Sequence, residues 1–411
     1  MFPLTRTATA VVLACTLALP LAVAGPASAG TAERAAPDRV AVAVAPAGSA
    51  GTDRAPSTAE LRLPRPTGKY AVGSSVHHLV DRSRKDPWEP AADGRELMVT
   101  LHYPAKRYGG GTARTPYATS AETTALIRGL GIEGAVPPER LAATGTHSRP
   151  GAKPARGRYP LVVLSPGFSV SRYTQTSLAE DLASRGYVVA SVDHAYESFG
   201  ISVPGGRTLP CTACKALDVD GVPPSVVTST RAKDVSYLVD RLTGRHPVWK
   251  YAGMIDRERI GMAGHSIGGA SAATTMAGDR RVLAGINMDG AFWEDLPPGG
   301  LNGRAFMMLG TDDEVHRPGG IDTTWDRMWP TLDGWKRWLT VEGSDHGSFS
   351  DFPLIQGHFG LPAPPLPAER TAALVRSYVA AFFDQHLKER QQPLLTGPSA
   401  ATPEVDFHHL P

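Results

Sequence analysis

A serine set between glycines is the strongest chemical signal in the chain. Gly264, Ser266 and Gly268 form a G-x-S-x-G pattern, with the apolar stretch 260–263 before it and the small-residue run 270–277 after it. This context is typical of a nucleophile elbow, a tight strand-to-helix turn that lifts a serine hydroxyl above a sheet. Glycines suit such a turn because they bring no Cβ where strand and helix come close. We therefore predict that Ser266 is a nucleophile.

A serine hydroxyl is a weak nucleophile at neutral pH, so it needs a base that is itself oriented by an acid. His346 follows the apolar stretch 338–341, a predicted strand, and we predict that it is the base. His316 and His358 are alternatives, but neither follows a strand so directly. His265 lies inside the elbow and is expected to pack rather than to transfer protons.

Two aspartates are candidates for the orienting acid. Asp289 ends the predicted strand 283–288, and Asp313 follows the predicted strand 305–309. With this elbow the acid lies between the serine and the histidine along the chain, and both aspartates do. Position alone leaves the choice open.

An oxyanion hole needs two N–H donors aimed at the charge that develops on the carbonyl oxygen. The residue after the nucleophile, Ile267, supplies one donor. Phe168 is our candidate for the second, because it lies in a loop just after the predicted strand 160–165. An ordinary turn with Gly167 in a left-handed conformation is the alternative for that loop.

The elements that must hold these residues alternate along the chain. Apolar runs predict strands at 97–103, 160–165, 188–192, 259–263, 283–288, 305–309 and 338–341. Helical periodicity predicts helices near 121–130, 175–185, 235–242 and 369–387. Strands alternating with helices indicate a mostly parallel central sheet with helices on both faces. Together with the elbow, this predicts an α/β-hydrolase fold.

The ends of the chain differ in composition from its centre. Arg6, the apolar stretch 11–24 and the small residues 27–29 predict a secretory signal peptide over 1–29, cleaved near Ala29. An uncleaved anchor and a lipoprotein site at Cys15 are the alternatives. We expect a flexible linker over 30–57, a hydrolase domain over 58–390 and an irregular tail over 391–411, in a protein that is secreted.

The cysteines and the net charge narrow the function further. Cys211 and Cys214 form a lone C-x-x-C pair, for which we predict a small structural disulfide rather than a redox or zinc site. The neighbours His77 and His78 would point to opposite faces of a strand, so we expect no metal and no cofactor. A formal net charge of +2 gives no reason to expect a nucleic-acid partner.

Several segments together resemble the plasma-type (group VII) platelet-activating-factor acetylhydrolases and their bacterial relatives. The resemblance extends over about residues 60–390. The segments that carry it are 70–73, 101–104, 182–190 with 193–194, 255–260 with 264–270, and 345–352.

This resemblance implies which aspartate acts. The family takes its acid from the end of the strand after the elbow helix, before a small and an aromatic residue, and 288–293 matches, which favours Asp289 over Asp313. Its oxyanion donor follows a His-Gly pair, whereas this chain has Pro166 and Gly167 before Phe168. The family hydrolyses short or oxidised acyl chains of phospholipids without a metal.

We therefore expect a secreted serine esterase or lipase that acts on short-acyl lipid or phospholipid esters. It would meet a small-molecule or lipid ester, contact a lipid interface without a stable membrane span, and select substrates through the loops 105–158 and 199–227. Polyester or triacylglycerol cleavage is the alternative within the same chemistry. A peptidase or amidase, or a non-catalytic binding protein, is a more distant alternative.

Overall fold

The computed structural model describes residues 57–107 and 113–410. The predicted signal peptide lies outside these residues, as does the predicted linker up to residue 56. Within the described part of the chain, no helix is both long and apolar enough to cross a membrane.

The described residues form one sheet of ten strands and a separate two-stranded ribbon. Across the large sheet the strand order is β12-β11-β10-β9-β8-β4-β5-β2-β1-β3. From β11 to β5 every neighbouring pair is parallel, whereas β2 is antiparallel to both of its neighbours and β12 is antiparallel to β11. The strands are β1 (Ala71–Asp81), β2 (Arg95–Ala105), β3 (Arg149–Pro150), β4 (Tyr159–Ser165), β5 (Val188–His194), β6 (Ile201–Val203), β7 (Arg207–Leu209), β8 (Ile255–His265), β9 (Val282–Met288), β10 (Ala305–Thr311), β11 (Lys336–Val341) and β12 (Val405–His408).

Helices cover both faces of this sheet. They are α1 (Ser120–Leu130), α2 (Pro138–Ala142), α3 (Thr176–Ser184), α4 (Thr212–Asp218), α5 (Ser225–Thr243), α6 (Ile267–Gly278), α7 (Thr324–Met328), α8 (Phe352–Phe359) and α9 (Ala368–Lys388). Along β4, Leu161 and Val163 pack in one core with α5 and α6, while Val162 and Leu164 pack in a second core with α3 and α9. Burial on both faces explains why β4 is a continuous apolar run rather than an alternating one. The predicted mostly parallel sheet between two helical layers is confirmed.

The end of the chain differs from the irregular tail expected for 391–411. Residues 405–408 form β12, which adds an edge strand to the sheet beside β11. Val405 is buried in the second core, and Phe407 packs against that core. Upstream, Arg370 on α9 pairs with Glu404, with 2.7 Å between Nη2 and Oε2. The strand was hard to predict because it is only four residues long and depends on these distant partners.

Candidate active site

Ser266 lies at the junction between β8 and α6, where the sequence predicts the elbow. Its backbone has φ +55° and ψ −131°, a conformation that residues other than glycine rarely adopt. The Ser266 N–H donates to the Met288 carbonyl at 2.7 Å, and the Ser266 carbonyl accepts from Gly269 N–H at 2.8 Å. Such a turn costs about 1–3 kcal/mol, so its surroundings must hold it in place.

The two glycines of the pattern leave room for close backbone packing. A Cβ on Gly264 would lie 2.2 Å from the Gly268 carbonyl carbon, and a Cβ on Gly268 would lie 2.2 Å from the Ser165 carbonyl oxygen. Neither contact is sterically allowed. The glycines therefore serve the purpose expected from the sequence, since they let α6 start directly against the ends of β8 and β4.

His346 and Asp289 are hydrogen-bonded to each other. His346 Nδ1 lies 2.6 Å from Asp289 Oδ2. Asp289 directly follows β9 and is buried, with φ +60°, and its N–H donates to the Leu309 carbonyl at 3.0 Å. His346 begins a short 3-10 turn after β11, and its side chain is 33% exposed. An imidazole held at Nδ1 by a buried carboxylate keeps Nε2 for proton transfer.

The competing candidates are engaged elsewhere. Asp313 Oδ1 accepts from the Val315 N–H in its own loop at 2.9 Å, which leaves Asp289 as the aspartate on His346. His358 lies at the other end of α8, with its Nε2 3.3 Å from an Arg140 side-chain nitrogen. His265 packs as expected: its ring lies 4.7 Å from the His346 ring, and its Nε2–H donates to the His346 carbonyl at 2.6 Å.

The remaining rival, His316, also contacts Asp289. His316 Nδ1 lies 2.9 Å from Asp289 Oδ1, the carboxylate oxygen that His346 does not use. Thr311 donates to the same oxygen from its N–H at 2.9 Å and from its hydroxyl at 3.1 Å. From the sequence, His316 is only an alternative base, and its contact with Asp289 was not predicted. Its one signal is that His316 and Asp289 both lie near the carboxyl ends of neighbouring strands.

Electrostatics keep the acid charged and the elbow histidine neutral. Burial alone would raise the pKa of Asp289, but the charge of His316 and the hydrogen bonds from His316 and His346 hold that pKa well below its usual range. Burial, aided by the neighbouring His346, lowers the pKa of His265 to about 3. His265 is therefore neutral at pH 7, and Asp289 is ionised.

Phe168 and Ile267 lie together in one small apolar cluster at the carboxyl ends of the strands. Ile267 is the first residue of α6, so its N–H has no acceptor within the helix. Phe168 belongs to the loop after β4, and the next residue, Ser169, has φ +63° and donates its N–H to the Glu197 carbonyl at 2.9 Å. The loop therefore contains a left-handed residue, but it is Ser169 and not Gly167. Cys211 and Cys214 form a disulfide beside this cluster, as predicted.

A buried charge network supports the loop before Phe168. The Arg231 guanidinium donates to the Pro166 carbonyl at 2.5 Å and to Ser165 Oγ at 3.2 Å. Its Nε donates to Glu197 Oε2 at 2.7 Å, and Glu197 Oε1 accepts from the buried Arg95 at 2.6 Å. These contacts hold the backbone at Ser165 and Pro166, directly before Gly167 and Phe168. Arg231 was not predicted, since nothing in the local sequence pattern marks it as a functional residue.

Two further observations concern metal binding and a cavity outside the site. Within 57–107 and 113–410, no group of three or more histidine, cysteine or acidic side chains is placed to hold a metal ion. A cavity of ≈ 240 Å³ lies over β2 and β5 and is lined by Thr100, His102 and Arg172, among others. Ser266, Asp289 and His346 do not line it, so this cavity is separate from the serine-histidine-aspartate cluster.

Comparison with known proteins gives concordant results. The family model described as platelet-activating factor acetylhydrolase, isoform II, matches residues 57–204 and 234–361. A protein of Arthroderma benhamiae named probable 1-alkyl-2-acetylglycerophosphocholine esterase is 27% identical over 84% of this chain and 93% of its own length. The platelet-activating factor acetylhydrolase of Bos taurus is 24% identical over 80% of this chain and 78% of its own length.

A solved structure is more similar in sequence than these relatives. The ferulic acid esterase from Streptomyces cinnamoneus is 43% identical, with a TM-score of 0.75, over 85% of this chain and 99% of its own. The sheet topology, the elbow and these relatives agree with one another. The chain is an esterase of the α/β-hydrolase fold and belongs to the platelet-activating factor acetylhydrolase, isoform II, family.

Proposed function

We propose that this esterase is a serine carboxylic-ester hydrolase with the triad Ser266, His346 and Asp289. The observation that carries the proposal is the 2.6 Å bond between His346 Nδ1 and Asp289 Oδ2, in a chain whose Ser266 occupies a nucleophile elbow. The N–H groups of Phe168 and Ile267 form the oxyanion hole. No metal or cofactor takes part in this mechanism.

Acylation comes first. Ser266 Oγ attacks the carbonyl carbon of the ester while His346 Nε2 takes the hydroxyl proton. Negative charge moves to the carbonyl oxygen, where the Phe168 and Ile267 N–H groups stabilise it. When the tetrahedral intermediate collapses, the ester C–O bond breaks and His346 gives its proton to the departing alcohol. Asp289 stabilises the transient imidazolium, which is why an ionised, buried acid suits this position.

Deacylation repeats these steps with water. His346 takes a proton from water as the water oxygen attacks the acyl-serine carbonyl, and the proton then returns to Ser266 Oγ as the acid leaves. Each turnover consumes one ester and one water and produces one acid and one alcohol. The enzyme ends in its starting protonation state.

Two substrate classes follow from the relatives. The match to the family model, and the similarity to the protein named probable 1-alkyl-2-acetylglycerophosphocholine esterase, support short-acyl lipid or phospholipid esters as the first candidate substrates. The ferulic acid esterase, at 43% identity, favours aromatic esters as a second candidate. The loops 105–158 and 199–227 would select between these classes.

An acyl-enzyme experiment tests the chemistry. With p-nitrophenyl acetate, we expect a burst of p-nitrophenol equivalent to one per enzyme and an acetyl group on the peptide that contains Ser266, because acylation by this activated ester is expected to be faster than deacylation. Ser271→Ala is the matched control. Ser271 lies in α6, the helix that follows Ser266, and its hydroxyl donates to the Ile267 carbonyl at 2.6 Å. An acetyl group on another residue, or no turnover of any ester, would contradict the proposal.

A substrate panel then separates the two classes. Its members are a short-acyl phospholipid, a long-acyl phospholipid, methyl ferulate, a triacylglycerol and a polyester film, compared by kcat/KM. Preference for the short-acyl phospholipid supports the first class, and preference for methyl ferulate supports the second. Hydrolysis of the film or the triacylglycerol alone would contradict both.

We also propose that the protein is exported. Arg6, the apolar stretch 11–24 and the small residues 27–29 support a cleaved signal peptide. The disulfide between Cys211 and Cys214 is consistent with an oxidising compartment. N-terminal sequencing of protein recovered from the culture medium is expected to start near residue 30. Recovery of the full chain inside the cells alone would contradict export.

A further inference from the structure

The acid proposed for the triad is shared by two histidines. His346 Nδ1 contacts Asp289 Oδ2 at 2.6 Å, and His316 Nδ1 contacts Asp289 Oδ1 at 2.9 Å. A serine triad needs only the first of these contacts. His316 is buried and contacts the Asp289 oxygen that His346 does not use, so the proposed mechanism assigns it no task.

His316 also faces a second carboxylate. Its Nε2 lies 3.1 Å from Asp322 Oδ2, with the N–H directed off the line to that oxygen, so the contact is an ion pair rather than a well-aligned hydrogen bond. Ionised carboxylates only accept hydrogen bonds, and a neutral imidazole has only one N–H. An imidazole between two ionised carboxylates therefore presents an N–H to each of them only as an imidazolium. Burial by itself lowers the pKa of His316, but Asp289 and Asp322 outweigh burial and raise it to about 10.

The surroundings hold this ring in one orientation. The Trp325 ring stacks on it, with centroids 4.8 Å apart and planes 29° apart. Trp338 Nε1 donates to the His316 carbonyl at 3.0 Å. Asp322 is itself fixed by the Thr324 N–H and hydroxyl, each at 2.8 Å. Stacking, backbone anchoring and an anchored counter-ion together leave the ring little freedom.

We propose that His316 is a positioning residue of this esterase, a buried imidazolium between Asp289 and Asp322 that fixes the triad carboxylate and offsets part of its negative charge. The inference rests on the proposed triad, because it acts only through Asp289 on His346. In this proposal, the side chains of His346, Asp289, His316 and Asp322 form a continuous series of polar contacts in that order. The outer carboxylate then serves the reaction without touching substrate.

The charge on His316 has a consequence for the pH at which the enzyme works. Asp289, Asp345 and the neutral His265 are the titratable groups that face His346. His316 faces Asp289 and Asp322, while the next residue, Arg317, pairs with Asp312 at the surface. A positive charge behind Asp289 disfavours a second one on His346. We therefore expect that loss of the His316 charge moves the acid limb of activity to higher pH.

His316→Asn tests this with a side chain that can still donate one hydrogen bond to Asp289 but carries no charge. We expect the acid limb of its kcat/KM profile to move to higher pH by about half to one unit. His316→Ala, which also loses the donor, is expected to show the same move and a kcat about tenfold lower, with KM little changed. His358→Asn is the control, because His358 lies far along the chain beside Arg140, and its profile should match the wild type.

Nitrogen-15 NMR of histidine-labelled protein gives a readout that does not depend on activity. One histidine, identified by its loss in His316→Asn, is expected to keep both ring N–H groups at pH 8, where ordinary histidines are neutral. Asp322→Asn should move the titration of this histidine to lower pH, because one of its two counter-charges is gone. If His316→Asn folds poorly, the shift in Asp322→Asn identifies the same histidine.

Two results would overturn the inference. One is a His316 spectrum that is neutral at pH 8, and the other is an acid limb in folded His316→Asn that coincides with that of the wild type. Both differ from failure of the triad itself, which would appear as retained activity in Ser266→Ala or Asp289→Asn. The positioning role and the triad can therefore be rejected separately.

Discussion

Replacing Ser266 with alanine is expected to lower kcat for p-nitrophenyl acetate by about a millionfold. The reason is that no other hydroxyl is held at the elbow, and without a nucleophile His346 has no proton to take. Alanine keeps the Cβ and can meet the same backbone demands at φ +55°, so we expect the fold to be unchanged. Steady-state hydrolysis measures the first effect, and circular dichroism with thermal unfolding measures the second.

The control for this variant is Ser271→Ala, in the same helix, which should retain the wild-type kcat. Residual activity in Ser266→Ala should also lack the burst, because no acyl-enzyme can form. If the folded variant still turned over the ester at a tenth of the wild-type rate or more, Ser266 would not be the nucleophile.

Replacing Asp289 with asparagine is expected to lower kcat by about ten-thousandfold. An asparagine amide has the shape of the carboxylate, but it carries no charge to stabilise the His346 imidazolium and can hold the wrong tautomer. The same change removes one of the two carboxylates around His316, so we also expect the alkaline end of the stability profile to shift. The measurement is kcat at the pH optimum, together with unfolding between pH 7 and 10.

The expected direction of that stability change follows from the pKa of His316. Because the pKa is raised to about 10 in the folded protein, protonation of His316 stabilises the fold fully below the unfolded value near 6.5, and this contribution is lost as the pH rises through 10. Asp289→Asn should weaken this dependence of folding stability on pH. Asp313→Asn is the matched control, since Asp313 caps its own loop, and it should change kcat little. If Asp313→Asn alone lost activity, the assignment of the acid would be wrong.

The positions of Ser266 and His346 could be predicted from local sequence because each depends on its immediate neighbours. The elbow needs a strand, small residues at fixed spacing and a helix, and all of them lie within 260–277. His346 needs only to follow a strand at the reacting edge of the sheet. The two apolar faces of β4 likewise appear as one uninterrupted apolar run.

The acid could not be chosen from spacing alone, because Asp289 and Asp313 follow adjacent parallel strands, β9 and β10. The geometry that pairs Asp289 with His346 includes a left-handed backbone at Asp289, which no residue pattern announces. The second contact of this acid, with His316, joins residues 27 positions apart in the chain. Family resemblance favoured Asp289, but the contact with His316 became visible only in three dimensions.

The disulfide could be predicted from the sequence, whereas the contacts that support the loop before Phe168 could not. Cys211 and Cys214 are close along the chain, so their pairing needs no knowledge of the fold. Arg231 meets Pro166 across 65 positions and Glu197 across 34. Contacts of this kind depend on where α5 lies against β4, and that is fixed by packing of the whole core.

The buried charge network that supports the loop before Phe168 also limits which substitutions the chain can accept during evolution. Asp234 belongs to the same network, because it pairs with Arg95 and Arg84. Arg95, Arg231, Glu197 and Asp234 are each almost fully shielded from water, and each of the two carboxylates is shared by two arginines. Losing one member leaves a buried charge without its partner, at a cost of about 3–5 kcal/mol, while exchanging several together for apolar residues can be neutral. Substitutions at these four positions are therefore expected to occur together. Related proteins should then either keep the whole charge network or have all of it replaced.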